Sequence, residues 1–385
     1  MTKEKVIKIL LVTTELRPGG AEKCLCNLAC HLDPARFQPI VVSLRSAPPP
    51  AEQKLVDLLK EHQIPLHFLD CDSHFASFRA VSQLKKIIQE NEIDLIQSFL
   101  FHANVMCGIA AKQFPTVPLF TGIRVAEPKR TRHWIEKWFT TGATRIICVS
   151  ESVRQFAQSV MGLAEPKLVA IPNGLEIPEL QNNSDVQLQD SNSSDPELVD
   201  AKSFGIERPY FAFVGRLEKQ KGLVEFLTAL NQSDSLSPDF DLVFVGQGSC
   251  LDELKRISNR LRQHCHFVGW QEFPQQFMRD AVAVILPSLW EGMPNVLLEA
   301  MSVGVPFVAF NVDGVKEIVS KDPFQLVEPD DYESFFQKMM QFLTEPDLAQ
   351  RVGAKNRDRV ENDFSLEKMI ASYESIYLAA LDRPN

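Results

Sequence analysis

No apolar stretch in this 385-residue chain approaches the ~18 residues that a membrane-spanning helix requires, so none is expected. The N-terminus opens with lysines, yet its apolar run, Val6 to Val12, contains Lys8 and lacks a small-residue cleavage site. It is expected to be a first strand and not a leader. CxxC pairs are also missing, and the eight cysteines are scattered. Cys24, Cys26 and Cys30 share one expected helix, where the first two point about 200° apart, a poor geometry for one metal. In His264-Cys265-His266, strand alternation sends the middle residue to the opposite face. The expectation is buried thiols in a reducing cytoplasm and no metal site. The GxGxxG dinucleotide fingerprint is absent. A dense basic stripe with stacking aromatics is absent too, so no nucleic acid partner is expected.

What is present is an ordinary globular composition, 45% hydrophobic and 23% charged, long enough for two domains. Net charge is −10 but divided: residues 1–172 hold 21 Lys and Arg against 16 Asp and Glu, and the remainder 19 against 34. Halves of opposite sign support two domains and suggest that the first faces an anionic partner or surface.

Strand and helix alternate along both halves. Val6–Thr13, Pro39–Ser43, Leu66–Leu69, Ile93–Ser98, Pro118–Gly122, Arg145–Val149 and Lys167–Ile171 are apolar, β-branched runs separated by helical periodicities. The same rhythm resumes at Tyr210–Val214. This is α/β with parallel, doubly wound sheets, whose ligands lie outside the carboxyl ends of the strands. Between the halves, residues 178–204 turn polar, with seven acids from Glu176 to Asp200 and no base before Lys202. A flexible acidic insert is expected there. The domains are therefore 1–172 and 173–385, with a final helix over 366–380 expected to pack back on the first.

Four strand-to-helix junctions carry the candidate chemistry. The stretch Pro287–Pro306 holds a loop, Glu291-Gly292-Met293-Pro294-Asn295, then a helix bearing Glu299. Backbone N–H groups and the positive dipole end at such a helix start favour an anionic or hydroxyl-rich ligand, and two acids about two turns apart could face one polyol. Gly215-Arg216-Leu217-Glu218-Lys219-Gln220-Lys221-Gly222 delivers two cations beside another helix start. A planar fork and a mobile point charge suit a diphosphate. Gly19-Gly20 lets the backbone approach a ligand closely, and His102 lies at a strand's carboxyl end. In the segment Arg130–Phe139, Trp134, Ile135, Trp138 and Phe139 form an apolar stripe beside Arg130, Arg132 and Lys137. The plainer expectation is a core-facing stripe; exposed tryptophans would instead suit an anionic membrane or acceptor.

Glu291 and Glu299, Gly215-Arg216-Leu217 with Lys221-Gly222, Pro18-Gly19-Gly20-Ala21-Glu22, and Ile171-Pro172-Asn173-Gly174 occur in an order that resembles the family 4 glycosyltransferases of the GT-B fold. The resemblance spans almost the whole chain apart from the acidic insert and the last residues. It implies two Rossmann-like domains facing across a cleft, the first for the acceptor and the second for a nucleotide-diphosphate sugar, a co-substrate and not a resident cofactor. By resemblance, Arg216 and Lys221 hold the diphosphate, aided by the backbone at Gly20. Glu299 takes the ribose, and Glu291 takes the sugar with the N–H groups near Met293 and Asn295. His102 matches the family's active-site histidine, and Val268 lies where the base is held. Pro294 departs from the pattern, since it lacks an N–H and leaves the nest one donor short, which bears on which sugar is held.

The resemblance also implies retention of anomeric configuration without a metal, on a cell-surface polysaccharide or lipid-linked saccharide. A cytoplasmic protein peripheral on the inner membrane face would fit that setting. No second carboxylate is evident beside Glu291 to act as a nucleophile, which favours same-face attack by the acceptor hydroxyl. Three competing readings remain: a metal-dependent glycosyltransferase using Asp70 and Asp72, a dehydrogenase, and a non-catalytic sugar-nucleotide scaffold at a membrane assembly.

Overall fold

A computed structural model describes residues 5–72, 77–126, 130–177, 201–233, 239–319 and 323–381. The chain forms two compact units, one of residues 1–174 with 366–385 and the other of residues 175–365. Most of the expected acidic insert lies outside the described residues.

The first unit runs β1 (Ile7–Thr13), α1 (Gly20–His31), β2 (Phe37–Ser43), α2 (Lys54–Glu61), β3 (Leu66–Phe68), α3 (Ser77–Glu90), β4 (Leu95–Phe99) and α4 (Phe101–Ala110). It continues through β5 (Leu119–Ile123), α5 (Arg130–Thr140), β6 (Arg145–Cys148), α6 (Glu151–Ser159) and β7 (Leu168–Ala170). Its seven strands lie in the order β3-β2-β1-β4-β5-β6-β7, and every pair is parallel. The apolar runs explain the layering: Ile9 to Val12 are wholly buried because helices cover both faces of β1. Ser150 accepts from the Val153 N–H and so caps α6.

The second unit runs β8 (Tyr210–Val214), α7 (Leu223–Gln232), β9 (Asp241–Val245), α8 (Leu251–Ser258), β10 (His264–Gly269), α9 (Gln275–Arg279) and β11 (Ala283–Leu286). Then come α10 (Asn295–Ser302), β12 (Phe307–Phe310), β13 (Leu326–Val327), α11 (Tyr332–Thr344) and α12 (Pro346–Asp363). Its six parallel strands follow the order β10-β9-β8-β11-β12-β13. The last helix, α13 (Leu366–Leu381), belongs to the first unit. Tyr373 and Tyr377 are buried there, the latter edge-on to Phe120 with ring centroids 5.2 Å apart.

Both sheets reverse strand order once beside their first strand, between β1 and β4 and between β8 and β11. Connections leave in opposite directions at such a point, which opens a crevice at the carboxyl ends. The expectation for α5 is overturned. Trp134 and Trp138 are 67% and 62% exposed, while His133, Glu136 and Thr140 face inward. His102 lies in the first turn of α4, just past the carboxyl end of β4.

Candidate functional site

In the second unit, the loops after β8 and β11 meet at the switch point. Gly215 leaves β8 at φ +148°, a conformation that a side chain would disfavour, with its N–H donated to Val245 O at 2.9 Å. A short 3-10 turn, Lys219–Lys221, leads to Gly222 at φ +64° and on into α7. The two loops are then tied by backbone and side chain. Leu289 N donates to Gln220 O at 2.8 Å, and Gln220 Nε2 donates to Trp290 O at 2.8 Å. A Cβ on Gly222 would lie 2.0 Å from Pro287 O, so this approach needs glycine.

That docking brings Lys221 Nζ to 2.6 Å from Glu291 Oε1, with both side chains largely buried. Two opposite charges in a partly desolvated crevice attract far more strongly than in water. Lys221 keeps two further N–H donors beyond the one that the pair uses. The carboxylate expected for a sugar and the ammonium expected for a diphosphate are thus each other's neighbours. Arg216 is exposed; its carbonyl accepts from the Glu218 N–H at 2.9 Å, and its guanidinium bears on the Glu218 carboxylate through charge. Glu218 beside it is held by Ser249, accepting from its Oγ at 2.6 Å and its N–H at 3.0 Å. Those bonds hold the Glu218 carboxyl below the usual range.

Glu291, Gly292 and Met293 are buried, whereas Asn295 and Glu299 are half-buried at the start of α10. Pro294 is the N-cap and supplies no side-chain cap. Glu291 is in the loop, and Glu299 lies one turn inside α10. Behind this loop, a Cβ on Gly314, at φ +81°, would lie 1.7 Å from Gly292 O. Val268 is half-buried near the end of β10, its carbonyl accepting from Gln271 Nε2 at 2.8 Å. Gly246, at φ +144°, packs so closely on Gly215 O that only glycine fits.

The first unit has its own junctions at β1 and β4. Gly19 is the N-cap of α1, and a Cβ there would meet the Glu22 carboxylate at 2.3 Å. Glu22 thus lies over the start of α1, where the helix dipole favours its charge. Gly20 is the first residue of the helix. Leu100, before α4, has φ +69° and ψ +158°, a region that residues with a side chain seldom occupy. The strained residue turns the chain sharply into the helix that carries His102. His102 is exposed, edge-on to Phe101 at 5.2 Å, and Arg132 stacks over that same ring at 4.5 Å.

Sequence reasoning did not single out Arg124, just past β5. Its guanidinium is buried, donates to Asn173 Oδ1 and sits 5.5 Å over the Phe99 ring. Among the described residues its Nη1 has no hydrogen-bond partner. Burial of an arginine is rare enough to count as a signal, but burial is not written in the local sequence. Gly314 was missed for the same reason, since its partner lies 22 residues away. Of the alternative pair, Asp70 is at φ +52° and Asp72 accepts from Ser46 Oγ. Among the described residues, no three His, Cys, Asp or Glu side chains gather in a way that could hold a metal.

Comparison with known proteins gives these junctions a context. The model of glycosyltransferase family 4 matches residues 18–177, and that of glycosyl transferases group 1 matches residues 194–359. The chain is 25% identical over 321 residues to an Escherichia coli UDP-Gal:alpha-D-GlcNAc-diphosphoundecaprenol alpha-1,3-galactosyltransferase, covering 78% of this chain and 79% of that protein. It is 23% identical over 269 residues to the capsular polysaccharide biosynthesis glycosyltransferase CapM of Staphylococcus aureus, covering 66% and 68%. Anabaena HepE, solved with UDP and glucose, superimposes with a TM-score of 0.80 at 20% identity, over 97% of this chain and all of that one. With two Rossmann-like parallel-sheet units and both family models matched in order, the chain belongs to the family 4 glycosyltransferases of the GT-B fold.

Proposed function

We propose that the enzyme moves a sugar from a nucleotide-diphosphate donor to a hydroxyl of a saccharide acceptor, polysaccharide or lipid-linked, with retention and without a metal. The observation that carries this reading is the largely buried Lys221–Glu291 pair at the β8/β11 switch point, with Arg216 exposed on the same β8 loop. Arg216 and Lys221 would hold the diphosphate. Glu291, with the backbone near Gly292, Met293 and Asn295, would hold the donor sugar. Glu299 would take the ribose, and Val268 the base. Lys221 would then serve charge on both sides of the bond that breaks, with its position set by Glu291.

In the transfer, the acceptor oxygen bonds to the anomeric carbon, the bond to the diphosphate breaks, and the acceptor's proton passes to the departing diphosphate. Arg216 and Lys221 stabilise the charge that develops there. His102 would sit beside the transferred sugar. An anionic lipid-linked acceptor is supported by the positive charge of the first half and by the E. coli relative, which acts on a diphosphoundecaprenol; such an acceptor would place the enzyme peripherally on the inner membrane face.

A thermal-shift panel of nucleotide sugars tests the donor, since a ligand at 100 times its dissociation constant stabilises by ~2.7 kcal/mol. With the donor found, Lys221→Ala is expected to lower turnover by about a hundredfold or more. Near-normal rates would overturn the assignment. The anomeric configuration of the product, read by NMR, tests retention, and turnover in excess chelator tests metal independence.

A further inference from the structure

Helix α5 is packed inside out. Its inward side carries His133, Glu136 and Thr140, at 8%, 8% and 0% exposure, while Trp134 and Trp138 face outward. The inward polar groups are satisfied. Asn104 Nδ2 donates to Glu136 Oε1 at 2.7 Å, Thr140 Oγ1 donates to the Glu136 carbonyl at 2.8 Å, and the His133 ring lies edge-on to Phe156 at 5.1 Å. This network fixes the helix rotation, so the tryptophans are held outward and not stranded there by loose packing.

The two indoles lie 5.9 Å apart with planes 33° from each other, and Ile135 adds to the same exposed surface. Cations border it. Lys137 is exposed and reaches towards Gly162, next to the exposed Val160, and Lys167 Nζ donates to Thr141 O at 2.8 Å just past the helix. The one acid of α5, Glu136, is the buried one. Glu165, the exposed acid nearby, lies 3.9 Å from Arg154. Indoles facing outward among lysines suit the headgroup level of an anionic bilayer, where an amphipathic ring is half in hydrocarbon and half in water.

We propose that this face of the first unit docks on an anionic lipid bilayer, with Trp134 and Trp138 seated among the headgroups and Lys137 and Lys167 on their charges. A second copy of the chain is a poorer occupant. The two indoles expose on the order of 300 Å² together, at ~250 Å² for each full side chain. A stable protein interface needs about 800 Å² per partner. The cationic border would also repel its own copy. The proposal deepens the reading of a lipid-linked acceptor and rests on it only for why a bilayer is near.

The test uses the full chain and vesicles of phosphatidylcholine, alone or mixed with phosphatidylglycerol. The protein is expected to sediment with the mixed vesicles, with a blue shift of tryptophan emission and weaker binding as salt rises. Trp134→Ala with Trp138→Ala should lower vesicle affinity about tenfold or more and remove the blue shift. Lys137→Glu with Lys167→Glu should remove the preference for the anionic lipid. The tryptophans and Lys137 are exposed, and Lys167 is half-buried with one surface hydrogen bond to Thr141 O, so the thermal midpoint should move little, and transfer to a water-soluble acceptor should persist. Absence of binding by the native chain, or equal binding by the tryptophan variant, would overturn the proposal. So would a dimer that this variant dissolves while vesicles are ignored. Failure to transfer any sugar would sink the proposed reaction yet leave the vesicle result standing.

Discussion

Lys221 Nζ and Glu291 Oε1 lie 2.6 Å apart, from loops 70 residues distant in the chain, with the side chains 15% and 7% exposed. Breaking such a pair from one side leaves a buried charge uncompensated, at a cost of about 3–5 kcal/mol. Lys221→Ala and Glu291→Ala are each expected to lower the unfolding free energy by that order. Lys221→Met with Glu291→Leu should recover most of it, because no charge is left stranded. Transfer activity should stay depressed about a hundredfold or more in all three. A double variant that regains both stability and activity would remove the pair from the site.

Gly314 offers a sharper geometric test. At φ +81°, alanine there costs ~1 kcal/mol for the backbone, and its Cβ would also press on Gly292 O. Gly304, at φ +73° with nothing within 4 Å, carries the backbone cost only. Gly314→Ala should therefore destabilise by about 2 kcal/mol or more and weaken donor binding by shifting the Gly292 loop. Gly304→Ala should cost about 1 kcal/mol and leave donor affinity alone. Equal effects in denaturant melts and donor titrations would refute the pressed contact.

The alkaline limb of stability follows from burial. Cys30 is pushed up to about 11, and Cys148 and Cys265 to about 12, from an ordinary 9.0, because a buried thiolate loses its hydration. The folded state binds these protons more tightly than the unfolded one. Their stabilisation is complete below about pH 9 and is lost as pH climbs through the folded values. Unfolding free energy should fall between about pH 9 and 11, steepening towards ~1.4 kcal/mol per pH unit for each thiol. At pH 8 the same thiols should react slowly with iodoacetamide. Flat stability over that range would count against it.

The first unit should depend on the last helix. Tyr377 is fully buried against Phe37 and Phe120 and donates to Gln97 Oε1 at 3.2 Å. Tyr377→Ala is expected to cost about 3–5 kcal/mol, and Tyr377→Phe only about 1 kcal/mol. Denaturant unfolding distinguishes them; a near-neutral alanine would show that α13 is dispensable.

The alternation of apolar runs with helical periodicities was enough to place the strands within a few residues. A strand buried on both faces must be apolar throughout, and its neighbours in sequence need not be known. The glycines at 19, 20, 215 and 222 were legible too, since each marks a strand-to-helix junction where the backbone alone can make the turn. Lys221 and Glu291 could be nominated singly from such junctions. Their contact could not, because it depends on β8 and β11 lying side by side, which follows from strand order.

The sequence by itself determined two α/β units of parallel sheet and the junctions where a ligand would meet them, because period and punctuation are local properties. Which junctions share a crevice, which arginine is buried and which way α5 turns were decided by tertiary structure alone. The case of α5 shows why. Its apolar stripe reads as core by periodicity, yet Asn104, 32 residues earlier, holds Glu136 inward and leaves Trp134 and Trp138 outside. A helix's rotation is set by the partners that its polar groups find, and those partners are distant in the chain.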